Sequence, residues 1–257
     1  MDPKNSPLLA LERHPGVKSD VRVPLTNFGP IDFRILYSVP VVHSQSELLK
    51  EGGDAPYLNA TVFEQLIARF HAVHSYGWSF GGYLEPRSRL WKGSYLDGIG
   101  DEVLHAGIDV NLPKGTPLKA QQDFTVLLSD DDHTLSGGWG PRLILQPGVM
   151  DDRDCAVIYS HLQRIAVKEG DEVKKGAILG EIGGPPDNGN WWPHLHIQLV
   201  ERSWFDTMRL HATLEKLDGY FPLRELAECR LRYPDPIKFM PLEWELDCVA
   251  RVVGQGA

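Results

Sequence analysis

Ten histidines occur in this chain, and five residues of His and Asp type stand where they could do chemistry together. The run His105-Ala-Gly-Ile-Asp109 reads best as an extended strand, because Gly107, Pro113, Gly115 and Pro117 disfavour a helix. An extended chain puts His105 and Asp109 on one side and the apolar Ala106, Ile108 and Val110 on the other. Gly107 leaves the space between the two polar groups free of side chain, as a shared metal ion requires. In Pro193-His194-Leu195-His196-Ile197-Gln198-Leu199, alternation places His194, His196 and Gln198 on one face. Two such imidazoles lie about 7 Å apart along the backbone. Both can address one metal, or one can bind metal while the other serves the substrate; strand geometry does not choose between them. In Val157-Ile158-Tyr159-Ser160-His161, a strand with Val157, Tyr159 and His161 on one face delivers His161 at its C-terminal end. Catalytic zinc sites use three His or carboxylate ligands and leave a fourth position for water. A further pair of histidines can then move protons and stabilise charge on a carbonyl under attack.

The elements that must position these groups are mostly short strands. Runs at 124–128, 142–146, 156–160, 177–182 and 195–200 have strand length and content, separated by Gly- and Pro-rich turns. They define a β-rich domain over 76–202. Residues 1–75 read as an extension with an extended arm over 1–30, a strand over 31–42, a loop at 52–56, and a helix from Thr61 to Gly77. On that helix Val62, Leu66, Ile67, Phe70 and Val73 share a face, while His71 and His74 fall on the surface. Residues 203–257 form a C-terminal extension with a short helix near 222–230 and a turn at 233–237. Asp130–Asp132 before His133 read as a solvated hairpin tip. Trp139, Trp191 and Trp192 fall in loops beside the histidines, where they can line a groove or anchor the loops by burial. Arg87 can touch substrate or form a structural ion pair.

Composition narrows the classes. Lys plus Arg is 26 against 35 Asp plus Glu, a formal charge of −9, which argues against nucleic acid or anionic membrane as a partner. Hydrophobic residues make up 42%, ample for a buried core. No apolar run reaches the roughly 18 residues a membrane span requires. The start MDPKNSPLLALERHPG has neither a basic region nor an apolar run of signal length, so a cytoplasmic location is expected. Cys155, Cys229 and Cys248 are an odd, widely spaced set, expected as reduced, buried thiols rather than a disulfide framework or zinc knuckle.

At the motif residues the chain resembles the lysostaphin/LytM-type zinc metalloendopeptidases, over about residues 80–200 and in the family's order. GGYLEPR at 81–87 is similar to the opening Gly-x-Arg strand, and HAGIDVNLPKGTP at 105–117 to the His-x-Gly-x-Asp…Gly-Thr-Pro block. GWGPRLIL at 138–145, YSHL at 159–162, VKEGDEVKKGAILGEIG at 167–183 and PHLHIQ at 193–198 are similar to the elements that follow. The resemblance implies a mainly β (α+β overall) fold, with an antiparallel sheet and a groove of the duplicated-hybrid-motif type. It implies one zinc ion per chain held by His105, Asp109 and His196, with His161 and His194 as the catalytic pair. It implies attack on a peptide carbonyl by a water whose pKa zinc lowers to about 7. The family's usual substrates are short Gly-containing or D-amino-acid peptides of bacterial cell walls. Pro141 and the NGNWW wording at 188–192 depart from the usual pattern, and NGxWxPHLHxQ resembles intracellular members of the family. The expectation is a zinc metallopeptidase acting on a peptide or amide substrate. The alternatives are a non-catalytic binding module on the same fold or a cytosolic amide hydrolase that does not act on peptidoglycan.

Overall fold

The computed structural model describes residues 78–239 except 89–90, 92–94, 133–136, 151–152 and 215–216, together with residues 60, 61, 63–65, 67 and 68. The expected arm at 1–30, the strand at 31–42, the loop at 52–56, the positions 62, 66, 70, 71, 73, 74 and 77, and residues His133 and Cys248 lie outside the described residues.

The main element is a seven-stranded sheet in which every pairing is antiparallel. Across the sheet its strands are β1 (Ser79–Gly81), β3 (Ile108–Asn111), β11 (Leu195–Glu201), β7 (Cys155–Ser160), β6 (Gly140–Pro147), β5 (Phe124–Asp132) and β9 (Glu172–Val173). A smaller sheet joins β4 (Pro117–Lys119), β10 (Ile178–Ile182) and β8 (Leu162–Gln163). A two-stranded sheet pairs β2 (Val103–His105) with β12 (Tyr220–Pro222). The architecture is thus mainly β with few helices, as the sequence leads one to expect.

The central strands are near-continuous apolar runs because both faces of the sheet are covered. One face carries Val157, Tyr159, Leu195, Ile197 and Leu199, packed against Leu118, Leu162, Leu179 and Ile182 of the smaller sheet. The other carries Ile144, Ala156, Ile158 and Val200, covered by residues from the C-terminal part of the chain. That cover includes a helix absent from the sequence reading, α1 (Arg202–Leu210), which buries Phe205 and Met208. Its first turn is capped by the Glu201 carboxylate, which accepts from Trp204 N–H. The helix expected near 222–230 is a 3-10 turn, Leu223–Glu225, running into α2 (Leu226–Arg232). The described residues of 203–239 therefore pack as part of this body, and β12 supplies a strand to it.

Two expectations need correction. The strand through His105 and Asp109 is not continuous: it bends at Ala106-Gly107, so that β2 and β3 belong to different sheets. Asp130–Asp132 are not a turn but the end of β5, where Asp130 grips Arg142 through two hydrogen bonds and Asp132 accepts from Trp139 N–H. Among the described helical residues of 60–68, Ala60, Phe63 and Ile67 are buried; Phe63 lies 4.2 Å from Trp192 between ring centroids.

Candidate metal centre and cleft

Three strands converge on one point. Asp109 on β3 and His196 on β11 are direct cross-strand partners, which brings two side chains on one face within reach. His105 arrives from β2 across the bend. His196 Nδ1 is 2.9 Å and His105 Nε2 is 3.3 Å from Asp109 Oδ1, and the two ring nitrogens are 3.1 Å apart. All three residues are buried, and their ligand-type atoms form a group that could hold a metal ion. At the bend the chain passes close to β11, and residue 107 is glycine. A Cβ there would sit 2.5 Å from Ile197 O and 2.6 Å from His196 Cε1.

The atoms turned away from this point are already committed. His105 Nδ1 lies 3.2 Å from Gly82 O, to which it donates in the tautomer that leaves Nε2 free for the metal, and 3.2 Å from Arg87 Nη2; His196 Nε2–H donates to Gln198 Oε1 at 2.9 Å. Gln198 is held in turn by donating from Nε2 to Asp218 O. Asp109 Oδ2 accepts from Arg87 Nη1 at 2.8 Å. Such outer contacts select the tautomer and aim the remaining lone pairs inward. Burial, reinforced by Arg87, pushes the His105 pKa down to about 3, so its imidazole is neutral at physiological pH. Burial alone would raise Asp109, but His105, Arg87 and His194 hold its carboxyl well below the usual range. Two imidazoles and one carboxylate suit a divalent ion of borderline softness.

His161 and His194 form a second pair beside the first group, with ring centroids 4.5 Å apart. Regular alternation on β7 would send His161 to the core face with Tyr159. Instead it follows the strand end with φ +63°, and this left-handed residue turns its ring toward His194. His161 Nδ1–H donates to Asn188 O and His194 Nδ1–H to Trp192 O, while His194 Nε2 faces the metal group, 3.7 Å from Asp109 Oδ1. Burial lowers the His194 pKa to about 4 and, with the neighbouring His194, holds His161 well below its usual value.

A cleft of about 600 Å³ opens over both groups. Trp139 and Trp191 are half-buried walls: Trp139 stands edge-on to His196 at 5.3 Å, and Trp191 edge-on to His161 at 6.0 Å. Trp192 is 1% exposed; it stacks on His194 at 4.6 Å and donates to Asn111 Oδ1, which makes it a support beneath the cleft. Arg87 borders the cleft, but it is 1% exposed and its guanidinium is ion-paired with Glu85 and Asp109. The far wall is Leu217–Tyr220, tied to the site by Trp139 Nε1→Leu217 O and Ala106 N→Gly219 O. Sequence reasoning missed this wall, and only the pairing of β12 with β2 reveals it. It also missed Glu85 and the role of Gln198, although Gln198 shares the face of His196 by simple alternation.

Fold and site together define a class: a β-sheet domain with a buried His2Asp group beneath an aromatic cleft. Residues 103–206 match peptidase family M23. The DD-carboxypeptidase/endopeptidase Mpg of Neisseria meningitidis is 26% identical over 119 residues, covering 46% of this chain and 23% of that protein. An uncharacterized metalloprotease of Haemophilus influenzae is 33% identical over 94 residues, covering 37% and 18%. The chain thus spans less than a quarter of the length of these curated relatives. Among solved structures, the catalytic domain of a mutant of the prophage-encoded M23 protein EnpA from Enterococcus faecalis is 31% identical, with a TM-score of 0.32 over 38% of this chain and 68% of that one. A zinc-containing peptidase from Vibrio cholerae is 27% identical, with a TM-score of 0.31 over 37% and 26%.

Proposed function

We propose that this protein is a zinc-dependent metallopeptidase that hydrolyses a peptide amide bond, with one zinc ion per chain held by His105, Asp109 and His196. The observation that carries the reading is the committed outer shell. Each of the three side chains has its outward atom occupied by a neighbour, so three lone pairs are aimed at one point. When bound, zinc supplies a water acidic enough to attack a carbonyl near neutral pH. His161 and His194 are the catalytic pair. Neutral at working pH, their Nε2 atoms accept the proton released in the attack, and once protonated they donate to the carbonyl oxygen or the leaving amine. Trp139, Trp191 and the Leu217–Tyr220 wall hold the substrate chain in the cleft. The names of relatives, among them a peptidoglycan DD-endopeptidase of Vibrio cholerae, favour a short peptide over a large folded protein as substrate.

Elemental analysis of the full chain beside Asp109→Ala tests the metal half of the reading. About one zinc per chain, lost in the variant, is expected. Hydrolysis of glycine-rich and D-amino-acid peptides, followed by mass spectrometry, tests the rest. His161→Ala and His194→Ala should keep zinc and lose cleavage. Stoichiometric zinc with no cleavage of any peptide would favour a binding module on the same fold.

A further inference from the structure

The ligand Asp109 is backed by a buried charge pair. Arg87 donates from Nη1 to Asp109 Oδ2 at 2.8 Å, from Nε to Glu85 Oε2 at 2.9 Å, and has Nη2 2.8 Å from the same Glu85 oxygen. Arg87 is 1%, Glu85 5% and Asp109 3% exposed. The segment that carries the pair is anchored along β2 by Leu84 N→His105 O, Arg87 N→Val103 O and His105 N→Glu85 O. Room for the guanidinium comes from Gly81, the cross-strand partner of Asp109. A Cβ on Gly81 would lie 2.3 Å from Arg87 Nη2 and 2.8 Å from Glu85 Oε2. A glycine, a bend and two opposite charges are thus assembled around a single carboxylate oxygen.

The charges explain why a second carboxylate is present. An arginine alone behind Asp109 would orient it, but would also put a full positive charge beside the site of a dication. At low effective dielectric that repulsion is not screened away. Glu85 cancels it. The three side chains then carry a net single negative charge, where Arg87 and Asp109 alone would carry none.

We propose that Arg87 and Glu85 are positioning residues of the metal centre: Arg87 fixes the orientation of Asp109, and Glu85 preserves its charge for the metal. The inference rests on the zinc reading above. Loss of an outer-shell partner typically costs a metal site about 10- to 100-fold in affinity, and that is the effect expected here without any change to a ligand.

The test is zinc affinity of the full chain, measured by competition with a chromophoric chelator, alongside the visible spectrum of the cobalt(II)-loaded protein. Glu85→Gln keeps the shape and a hydrogen bond to Arg87 but removes the charge. It should weaken zinc binding about 10- to 100-fold while leaving the cobalt spectrum unchanged. Glu172→Gln, the same charge change at the opposite edge of the sheet, should alter neither. Arg87→Lys keeps the charge but not the fork, so it should shift the cobalt spectrum, a signature that a merely structural role would not move. Should Glu85→Gln fail to fold, Glu85→Asp, which keeps the charge, must bind zinc more tightly than Arg87→Lys. Wild-type affinity in Glu85→Gln, equal affinities in that second pair, or an unshifted spectrum in Arg87→Lys overturns the inference and leaves the zinc reading standing. Failure of the wild-type chain to bind zinc overturns both.

Discussion

Gly107 gives the sharpest test of how this site is built. Gly107→Ala adds one methyl group where β3 approaches β11. It would stand 2.5 Å from Ile197 O, 2.6 Å from His196 Cε1 and 2.7 Å from His196 Nε2. Ile197 O belongs to the sheet backbone and cannot swing aside, so either β3 shifts away from β11 or the His196 ring is expelled. A shift loosens the β3–β11 pairing, and expulsion breaks the bond from His196 to Gln198. Overpacking of this kind costs about 1–3 kcal/mol. For a domain of this size each kcal/mol lowers Tm by roughly 2–4 °C, which gives a fall of about 2–12 °C. The same displacement moves Nδ1 of His196, a proposed zinc ligand, so zinc affinity should fall about tenfold or more, as it does when a supporting contact is lost. Thermal unfolding of metal-free protein and chelator competition read the two effects separately. Gly107→Ala with wild-type Tm and wild-type zinc affinity would refute the argument that this glycine makes room for His196.

Two further outcomes follow from desolvation. Cys155 and Cys229 are buried; burial pushes the Cys155 thiol up to about 11 and raises Cys229 further. In a Cys248→Ser background neither should react with an aromatic disulfide reagent at pH 8 until the chain is unfolded, and rapid labelling of the folded protein would contradict the packing. Asp218, an exposed residue of the cleft wall, has its carboxyl raised from 3.8 to about 6, by partial desolvation first and then by Glu225. The ionised form is therefore disfavoured by folding: the penalty is complete above about 6 and gone below the unfolded value. Asp218→Asn should raise Tm over wild type at pH 8 and lose that advantage by pH 4; a difference independent of pH would show that Asp218 is not desolvated.

The residues that can bind metal were legible because chemistry and period coincide. His194, His196 and Gln198 alternate with Leu195, Ile197 and Leu199, and the structure puts the first three toward the site and the last three in the core. The strand runs were legible for the same reason, since strands buried on both faces must be almost wholly apolar. Helix α1 has no counterpart in that reading: its single buried stripe of Phe205 and Met208 is too short to stand out among polar neighbours.

What the sequence by itself determined is the set of groups and their local faces, because alternation follows from the covalent geometry of an extended chain. Tertiary structure alone decided how they meet. The bend at Gly107 sends His105 and Asp109 into different sheets, and a positive φ turns His161 against the alternation of its own strand. The cross-strand register pairs Asp109 with His196 on one side and with Gly81 on the other. The pairing of β12 with β2 brings Leu217–Tyr220 beside His105, more than a hundred residues earlier in the chain. Each depends on which strands lie side by side, a property of the packed whole that no local pattern encodes.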